Sequence, residues 1–277
     1  MPELPEVETV SLALSKVVIN AKILKIQIFR SDLRWKIKNS LKKDLQNDFF
    51  KQPFRRGKFI LVPTINENIF LIHLGMSGQI KIRENSETLL KHDHVRITIK
   101  SNNDKIYFIT YNDPRRFGYI DLFNNREINQ HFLLKKLGVE PLEKELNVDY
   151  LESIFKKKTK SIKETLMDQG VIAGIGNIYA SEILFKAKIN PYRSVQTLQR
   201  EEIKSIIKAT RQILQKSIKV GGTTLQNHLQ PNGKLGYFVQ KLRVYGKNNK
   251  KCKRCKYLIS VSIISNRSTY FCNNCQI

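Results

Sequence analysis

MPELPEVE (residues 1–8) places three acidic residues at the start of a chain that carries 49 Lys and Arg against 24 Asp and Glu. Proline is tolerated in the first turn of a helix, and glutamate there interacts favourably with the helix dipole. The apolar residues behind these acids recur at helical spacing: Val7, Val10, Leu14, Val17 and Val18. The stretch therefore predicts an amphipathic helix over residues 2–18.

Pro2 has no evident role in such a helix start. A small second residue normally lets the initiator methionine be removed, so we expect the mature chain to begin with a secondary amine at Pro2. A free α-amino group has a pKa of about 8, against ~10.4 for lysine, so more of it is neutral at neutral pH. Such an amine can attack a carbon at the aldehyde oxidation level and form an iminium. From this stretch alone, a helix start is the simpler interpretation.

The composition indicates a partner of opposite charge. A formal net charge of +25 and an isoelectric point near 9.9 favour a polyanion, with nucleic acid ahead of an anionic membrane surface. No run of about 18 apolar residues is present. The N-terminus also lacks a basic stretch followed by an apolar block. The sequence thus predicts neither a transmembrane helix nor a signal peptide.

Short apolar runs separated by turn residues fill the chain from Ala21 to Phe123. These runs lie at residues 26–28, 59–62, 69–72, 95–99, 106–109 and 119–123. Several short strands with turns between them predict an antiparallel sandwich or barrel. The periodicity becomes helical after Leu134, and it becomes strand-like again from Leu235.

Three helices are predicted in the middle of the chain. Ser161 and Glu164 have the spacing of a capping box, and Gly170 suits the C′ position of the same helix. The second helix follows Asn177, which is a good N-cap residue. The third spans residues 198–220, where isoleucine and leucine recur on one face.

The cysteines have the spacing of a zinc ribbon. Two Cys-x2-Cys pairs are separated by sixteen residues: Cys252, Cys255, Cys272 and Cys275. Two such knuckles complete a closed tetrahedron of thiolates, which is a structural and not a catalytic site. Residues 259–264 and 268–271 would form a hairpin whose tip, near Asn266, presents Arg267 to a ligand. Two disulfides are the alternative, and the absence of an export signal argues against them.

A glycine-rich turn lies between two of the predicted helices. GIGNIY (residues 174–179) allows a tight turn, and the following helix N-terminus offers amide donors to an anion. A purely structural turn capped by Asn177 is the alternative. The preceding KKKxK run (residues 156–160) is usually a solvated surface, and here we expect general attraction to phosphates.

Two loops combine apolar and basic residues. HLGMSG (residues 73–78) places Met76 between two glycines, and DPRRFG (residues 113–118) carries two arginines beside Phe117. A lone His or Met is usually structural. However, apolar residues beside arginines are suited to unstacking a base step and filling the gap. Arginine can also hydrogen-bond a base that has lost its partner. RRGK (residues 55–58) forms a further basic turn.

Together these motifs resemble the formamidopyrimidine-DNA glycosylase family of base-excision repair enzymes. The match runs the length of the chain in the expected order: PELPEVE, RRGK, HLGMSG, NDPRRFG, DQGxxAGIGNIYA, GGTTL, GYF and the finger ending in NRSTYFCNNCQ. Each motif is modest evidence, and their ordered combination is highly specific.

The resemblance implies an α+β multidomain fold. It implies an N-terminal catalytic β-sandwich with a flanking helix (residues 1–134), a helix–two-turn–helix domain (135–228) and a zinc-finger β-hairpin (229–277). Damaged duplex DNA would lie in the cleft between the two halves. It further implies one structural Zn²⁺, a monomer without membrane contact, and a nucleoid-associated location in the bacterial cytoplasm.

The resemblance also implies a bifunctional glycosylase and AP lyase that removes 8-oxoguanine and formamidopyrimidines. Pro2 would attack C1′ of the damaged nucleotide, and Glu3 would act as general acid and base. Lys58 would belong to the catalytic group and would also grip a phosphate. The flipped nucleotide would then undergo β- and δ-elimination.

The remaining implied roles concern the base and the phosphates. The residues expected at the damaged base are Glu6, Thr223 and Thr224. The residues expected to grip phosphates, besides Lys58, are His73, Asn177 and Arg267. The residues expected to fill the vacated stack, hold the orphaned base or contact DNA beside it are Met76, Arg115, Arg116 and Phe117.

Two positions in the finger depart from the family pattern. Lys256 stands where glycine is usual, and Asn266 stands where a small residue is common. Two other functions stay open at this point. One is an endonuclease VIII-like glycosylase for oxidised pyrimidines, against which the PELPEVE, HLGMSG and DPRRFG motifs argue. The other is a non-catalytic zinc-ribbon protein that binds nucleic acid, which would not need Pro2 and Glu3.

Overall fold

The computed structural model describes residues 1–85, 88–223 and 238–277. The chain divides into two compact units. The first contains residues 1–135 and the described residues 220–223, and the second contains residues 136–219 and 238–277. Thr224 and Leu235, both named from the sequence, lie outside the described residues.

The first unit contains two antiparallel sheets. Its strands, in chain order, are β1 Lys22–Ile28, β2 Phe54–Arg56, β3 Phe59–Pro63, β4 Asn68–His73, β5 Gln79–Arg83, β6 Asp93–Lys100, β7 Ile106–Asn112 and β8 Tyr119–Asn124. Within the described residues, one sheet has the order β1-β6-β7-β5 and the other β2-β3-β4-β8. The six strands predicted from the sequence are therefore confirmed. Sequence inspection missed β2 and β5, which are short and rich in basic residues.

One apolar core joins the two sheets. Ile97 and Ile99 of β6 belong to the same buried cluster as Ile60 of β3 and Phe70 of β4. The side chains of a strand alternate between its two faces, so each sheet contributes one apolar face to this cluster. The arrangement is the β-sandwich that the strand pattern predicts.

The helices of this unit are α1 Leu4–Val18 and α2 Leu41–Leu45, with a 3₁₀ turn at Asn125–Glu127. The apolar stripe of α1 is buried in the sandwich core at Val7, Val10, Leu14 and Val18. The helix begins at Leu4 and not at residue 2, because Glu3 is its N-cap. The Glu3 backbone N–H donates to Glu6 Oε2 at 2.8 Å, which satisfies an amide at the helix start.

The second unit begins with helices. They are α3 Val148–Phe155, α4 Ile162–Met167, α5 Asn177–Ala187 and α6 Arg200–Lys219, with 3₁₀ turns at Val195–Thr197 and Phe238–Lys241. A further 3₁₀ turn, Leu134–Lys136, contains the last residues of the first unit and the first residue of the second. Ser161 caps α4, and its backbone N–H donates to Glu164 Oε2 at 3.2 Å, which confirms the predicted capping box. The C-cap of α4 is Asp168, so the expectation that Gly170 occupies C′ is wrong. None of the helices in the described ranges is long and apolar enough to cross a membrane.

A β-hairpin completes the second unit. Its strands are β9 Ser260–Ile264 and β10 Arg267–Phe271, as the cysteine spacing predicts. The hairpin packs through Ile259 and the cysteines against Phe185 of α5. The carboxylate of Glu182, also on α5, accepts the backbone N–H groups of residues 243–245 at 2.9–3.0 Å. These bonds fix the segment that leads into the hairpin.

Candidate active site and nucleic-acid interface

The amino terminus consists of a half-exposed Met1 followed by a buried run over residues 2–7. Pro2 is buried, and burial lowers the pKa of the α-amino group of Met1 from its usual value of 8.0. Two carboxylates oppose this shift and two cations add to it. The four charged residues are Glu3, Glu6, Lys58 and Arg115. A lowered pKa leaves more of the Met1 amine neutral near pH 7.

The carboxylate of Glu6 bridges two segments of the first unit. Its Oε2 accepts the backbone N–H of Glu3 at 2.8 Å. Its Oε1 accepts both the backbone N–H and the hydroxyl of Thr223, at 2.7 and 2.8 Å. Gly222 has a φ of +77°, and a Cβ there would lie 2.8 Å from the same oxygen. Glycine therefore suits this position, because both the backbone conformation and the space disfavour a side chain.

A tight hairpin turn places Lys58. Gly57 has a φ of +55°, which a two-residue turn of type II′ requires at its first position. Arg55 Nε donates to Glu8 Oε2 at 2.7 Å, and this pair ties the hairpin to α1. Lys58 itself is only 6% exposed. The RRGK motif therefore fixes a buried ammonium group whose charge acts on the α-amino group.

His73, at the end of β4, is a neutral hydrogen-bond donor. Its Nδ1 accepts the backbone N–H of Gly75 at 3.2 Å, which leaves the proton of the neutral ring on Nε2. Burial lowers the pKa of His73 to about 4, with Lys58 and Arg34 adding to the shift and Asp113 opposing it. The imidazole thus stays neutral at physiological pH. A phosphate contact from it would be an N–H donation without a net charge.

Residues 73–78 and 113–118, here called the paired turns, contact each other through their backbones. A Cβ on Gly75 would lie 2.4 Å from the carbonyl carbon of Phe117. Gly75 also has a φ of +58°, which disfavours any other residue. The two turns that the sequence singles out separately are therefore parts of one local structure.

The tips of the paired turns present their apolar side chains to solvent. Met76 is 37% exposed and Phe117 is 44% exposed. The guanidinium carbon of Arg115 lies 4.7 Å from the centroid of the Phe117 ring, as in a cation–π contact. Arg116 differs from its neighbour, because its Nη1 donates to Asp32 Oδ2 at 2.7 Å. An Arg116 contact to DNA would have to compete with this ion pair.

Asn177 occupies the turn between α4 and α5. It is the first residue of α5, whose N-cap is Gly176, so the prediction that Asn177 caps the helix is wrong. Its Nδ2 instead donates to the carbonyl oxygen of Ser268 at 2.9 Å. Its Oδ1 is buried and has no partner among the described residues. A phosphate oxygen is an acceptor, so Asn177 could bind one only through Nδ2 or the helix-end amides.

The tip of the cysteine hairpin is tied to α4. Lys163 is 1% exposed, and its Nζ donates to Thr269 Oγ1 at 2.6 Å and to the Ser268 carbonyl at 3.3 Å. The Ser265 hydroxyl donates to Glu164. Arg267 stays exposed beside these contacts and lines a surface cavity of about 330 Å³. The predicted Arg267 is thus presented on a hairpin that α4 and α5 hold in place.

The cysteines form one cluster. Their sulfur atoms all lie within 4.8 Å of one another: Cys252, Cys255, Cys272 and Cys275. The sulfurs of Cys252 and Cys275 are 3.9 Å apart, and those of Cys255 and Cys272 are 3.4 Å apart. Disulfide sulfurs lie about 2.05 Å apart, so the disulfide alternative is wrong. A tetrahedral ion with metal–sulfur bonds of about 2.3 Å separates its thiolates by roughly 3.8 Å, and the cluster fits that spacing.

Besides the cysteine cluster, the structure groups the predicted residues into three sets. The first surrounds the amino terminus, the second is the paired turns, and the third joins the α4–α5 turn to the hairpin tip. Sequence inspection missed two buried residues that organise the second and third sets, Asp113 and Lys163. Asp113 was quoted within a motif and Lys163 lies inside the capping box, but no local pattern distinguished either from a surface charge.

Comparison with known proteins identifies the same family throughout the chain. The family model for the formamidopyrimidine-DNA glycosylase N-terminal domain matches residues 1–120, and that for the H2TH domain of the same family matches residues 137–228. The formamidopyrimidine-DNA glycosylase of Vesicomyosocius okutanii is 41% identical over 276 residues, which covers all of both chains.

Solved structures point to the same family. A Lactococcus lactis FPG mutant, in complex with a Fapy-dG containing DNA, matches with a TM-score of 0.91 and 32% identity over 99% of each chain. Wild-type Lactococcus lactis FPG, in complex with an oxidized pyrimidine containing DNA, matches with a TM-score of 0.90 and 33% identity over 99% of each chain. With family models covering most of its length and full-length relatives at this identity, the chain belongs to the formamidopyrimidine-DNA glycosylase family.

Proposed function

We propose that this chain is a bifunctional base-excision repair enzyme. It removes oxidised purines, 8-oxoguanine and formamidopyrimidines, from duplex DNA and then cleaves the strand as an AP lyase. The observation that carries this proposal is the buried Pro2, which is followed by the buried carboxylates of Glu3 and Glu6. A passive DNA-binding protein has no need for a buried proline and two buried carboxylates at its amino terminus.

The proposed chemistry begins after removal of Met1. The secondary amine of Pro2 forms a bond to C1′ of the damaged nucleotide, while the bond from C1′ to the base breaks and the base leaves with a proton. Glu3 transfers the protons as the sugar ring opens at O4′, which gives an iminium between the proline nitrogen and C1′. The iminium acidifies the C2′ protons, and loss of one of them expels the 3′ phosphate and forms a C2′–C3′ double bond. The conjugated iminium then acidifies the C4′ proton, whose loss expels the 5′ phosphate.

The other predicted residues are proposed to help move the damaged base out of the duplex and into the active site. The damaged nucleotide must be flipped out of the duplex at a cost of a few kcal/mol. We propose that Met76, Arg115 and Phe117 offset this cost by filling the gap and bonding to the orphaned base. The phosphates beside the nucleotide would contact Lys58, His73, Asn177 and Arg267. We further propose that Arg116 contacts DNA by exchanging its Asp32 partner for a phosphate.

Glu6, Thr223 and Thr224 are proposed to shape the base pocket. Glu6 accepts three hydrogen bonds from Glu3 and Thr223. Its carboxylate can therefore set the position of Thr223 relative to the reacting amine. This role places Glu6 behind the base as a support for the pocket, without a step in bond cleavage.

The four cysteines are proposed to bind one structural Zn²⁺. Four thiolates leave no open coordination position, so the ion would stabilise the hairpin without taking part in the reaction. We propose three functional domains, with boundaries at 1–134, 135–228 and 229–277. The enzyme is proposed to act as a monomer on nucleoid DNA in the bacterial cytoplasm.

Oxidised pyrimidines are the second candidate substrate. A solved relative, Lactococcus lactis FPG, is bound to an oxidized pyrimidine containing DNA. Purine and pyrimidine damage would share the chemistry at C1′ and differ only in the contacts to the base. A panel of duplexes with different damaged bases, compared at equal enzyme concentration, separates the two substrate classes by their single-turnover rates.

Borohydride trapping tests the proposed function. Reduction during reaction with a duplex that contains 8-oxoguanine opposite cytosine should give a covalent protein–DNA adduct, because borohydride reduces the iminium to a stable amine. The protein must first be verified by mass to begin at Pro2. An undamaged duplex of the same sequence is the control and should give no adduct. Absence of an adduct with every damaged duplex would refute the Schiff-base mechanism and favour a protein that only binds DNA.

Replacing Arg267 by alanine should weaken DNA binding about tenfold, the scale of one hydrogen bond to a charged group. The slope of log affinity against log salt should also fall by about one, because one phosphate contact is lost. Arg126→Ala is the matched control, since Arg126 is an exposed arginine paired with Glu67 on the first unit. Equal affinities and salt slopes for both variants would contradict a phosphate contact at Arg267.

A further inference from the structure

The paired turns share a buried carboxylate. Asp113 is 0% exposed, although the four residues that follow it in the loop are all exposed. Its Oδ1 accepts the hydroxyl of Ser77 at 2.5 Å, and its Oδ2 accepts the backbone N–H of Gly118 at 2.8 Å. The hydroxyl of Tyr111 donates to the same Oδ2 at 3.2 Å. One side chain therefore bonds to both turns and to strand β7.

The Ser77 hydroxyl extends this connection. It donates to Asp113 and accepts the backbone N–H of Arg115 at 3.1 Å. Met76 directly precedes Ser77, and Phe117 directly precedes Gly118. The two oxygens of Asp113 thus bond to Ser77 and Gly118, the residues next to the two exposed apolar side chains. The carboxylate therefore adds a side-chain link to the backbone contact between the two turns.

The glycines leave little room for another arrangement. A Cβ on Gly118 would lie 1.6 Å from the hydroxyl oxygen of Tyr111, and a Cβ on Gly78 would lie 2.8 Å from it. Burial and the Asp113 carboxylate raise the pKa of Tyr111, so its hydroxyl remains a donor. A buried carboxylate without its donors would be strongly unfavourable, which favours the fully bonded geometry.

We propose that Asp113 is a positioning residue for base extrusion, which holds the paired turns as one rigid wedge. This inference rests on the proposed function. A wedge filling an unstacked base step needs its apolar side chains at a fixed separation before the base leaves the stack. Asp113 touches neither the reacting atoms nor the base in this account. Its effect is confined to the step in which the damaged base is removed from the duplex.

The test compares two substrates for each variant. One duplex carries 8-oxoguanine paired with cytosine, and the other carries a preformed abasic site, where no base has to be extruded. Asp113→Asn and Ser77→Ala should lower the single-turnover rate on the paired duplex by about 10- to 100-fold, the range expected from losing wedge function. On the abasic duplex the rate of strand cleavage should fall less than threefold.

Asp121→Asn is the matched control for a loss of stability. Asp121 is also a buried aspartate of the sandwich that accepts a tyrosine hydroxyl and a backbone N–H, but it lies outside the paired turns. This variant should unfold more easily and keep the wild-type ratio of the two rates. A 2-aminopurine placed beside the lesion reports base unstacking by an increase in its fluorescence. This increase should be large when wild type or the control binds, and smaller with the Asp113 and Ser77 variants.

The outcomes separate the inference from the proposed function. If both variants keep the wild-type ratio of rates and the wild-type fluorescence change, the positioning role is refuted. If they lose both reactions equally and the control does not, Asp113 has a structural role beyond the wedge and the inference also fails. If wild type itself acts on neither duplex, the proposed function fails first.

Discussion

Blocking the amine of Pro2 is expected to abolish covalent trapping and to lower the rate of base removal by about 10⁴-fold or more, the scale of losing a catalytic nucleophile. A chain with two extra residues ahead of Pro2 has an amide at this nitrogen, which has no lone pair available to attack C1′. Single-turnover cleavage and borohydride trapping on the 8-oxoguanine duplex measure the effect. The extended chain should still bind damaged DNA.

Pro2→Gly is the matched variant for this experiment. It removes the proline ring and keeps a free α-amino group after Met1 is cleaved. Partial activity is expected, because a primary amine can also form an imine with C1′. Normal trapping by the extended chain would show that another group, such as the buried ammonium of Lys58, is the nucleophile.

Removing the proposed zinc ion is expected to produce the second large effect. Structural zinc contributes roughly 10–16 kcal/mol of apparent binding free energy in small zinc domains, so the hairpin should lose its fold without the ion. The cysteine cluster is part of the apolar contact with Phe185, and this contact should be lost as well. We expect DNA affinity to fall about 100-fold or more, because the proposed phosphate contacts of the finger would be lost together.

Limited proteolysis and DNA binding before and after chelation measure this prediction. Cleavage should concentrate near the hairpin, and added Zn²⁺ but not Mg²⁺ should restore both resistance and affinity. Cys272→Ser should reproduce the effect of chelation, whereas Ser262→Ala, on the same hairpin, should not. If the metal-free protein keeps its affinity and its protease resistance, the cluster has no structural role in DNA binding.

The sequence predicted those features that depend on local patterns. Alternating apolar residues identified the longer strands, and the Cys-x2-Cys pairs identified both the cluster and the hairpin. The capping box at Ser161 was visible because its two residues lie three positions apart. Each of these signals acts over a few residues, so the order of residues alone is sufficient to recognise it.

The organising contacts of the site depend on residues distant in the sequence, and this is why they were missed. Lys163 donates to Thr269, which is 106 positions away, and Asp113 accepts from Ser77, which is 36 positions away. An aspartate and a lysine at these positions are equally compatible with solvated surface charges. Only the fold brings their partners to them.

Glu6 also has a long-range contact that the local sequence does not reveal, although its motif was recognised. The sequence supports a helix-start carboxylate, and the resemblance supports a residue of the base pocket. The structure adds that one oxygen accepts the Glu3 backbone N–H and the other accepts two donors from Thr223, 217 residues away. A short-range capping contact and a long-range contact therefore coexist on one side chain.

The central claim is that the α-amino group of Pro2 is the nucleophile, and mapping the trapped adduct tests it most directly. The protein is reduced with borohydride during reaction with the 8-oxoguanine duplex, digested with protease and nuclease, and sequenced by mass spectrometry. We expect the sugar remnant on the nitrogen of Pro2, in a peptide that lacks Met1. Attachment to Lys58, or to any other lysine, would contradict this claim.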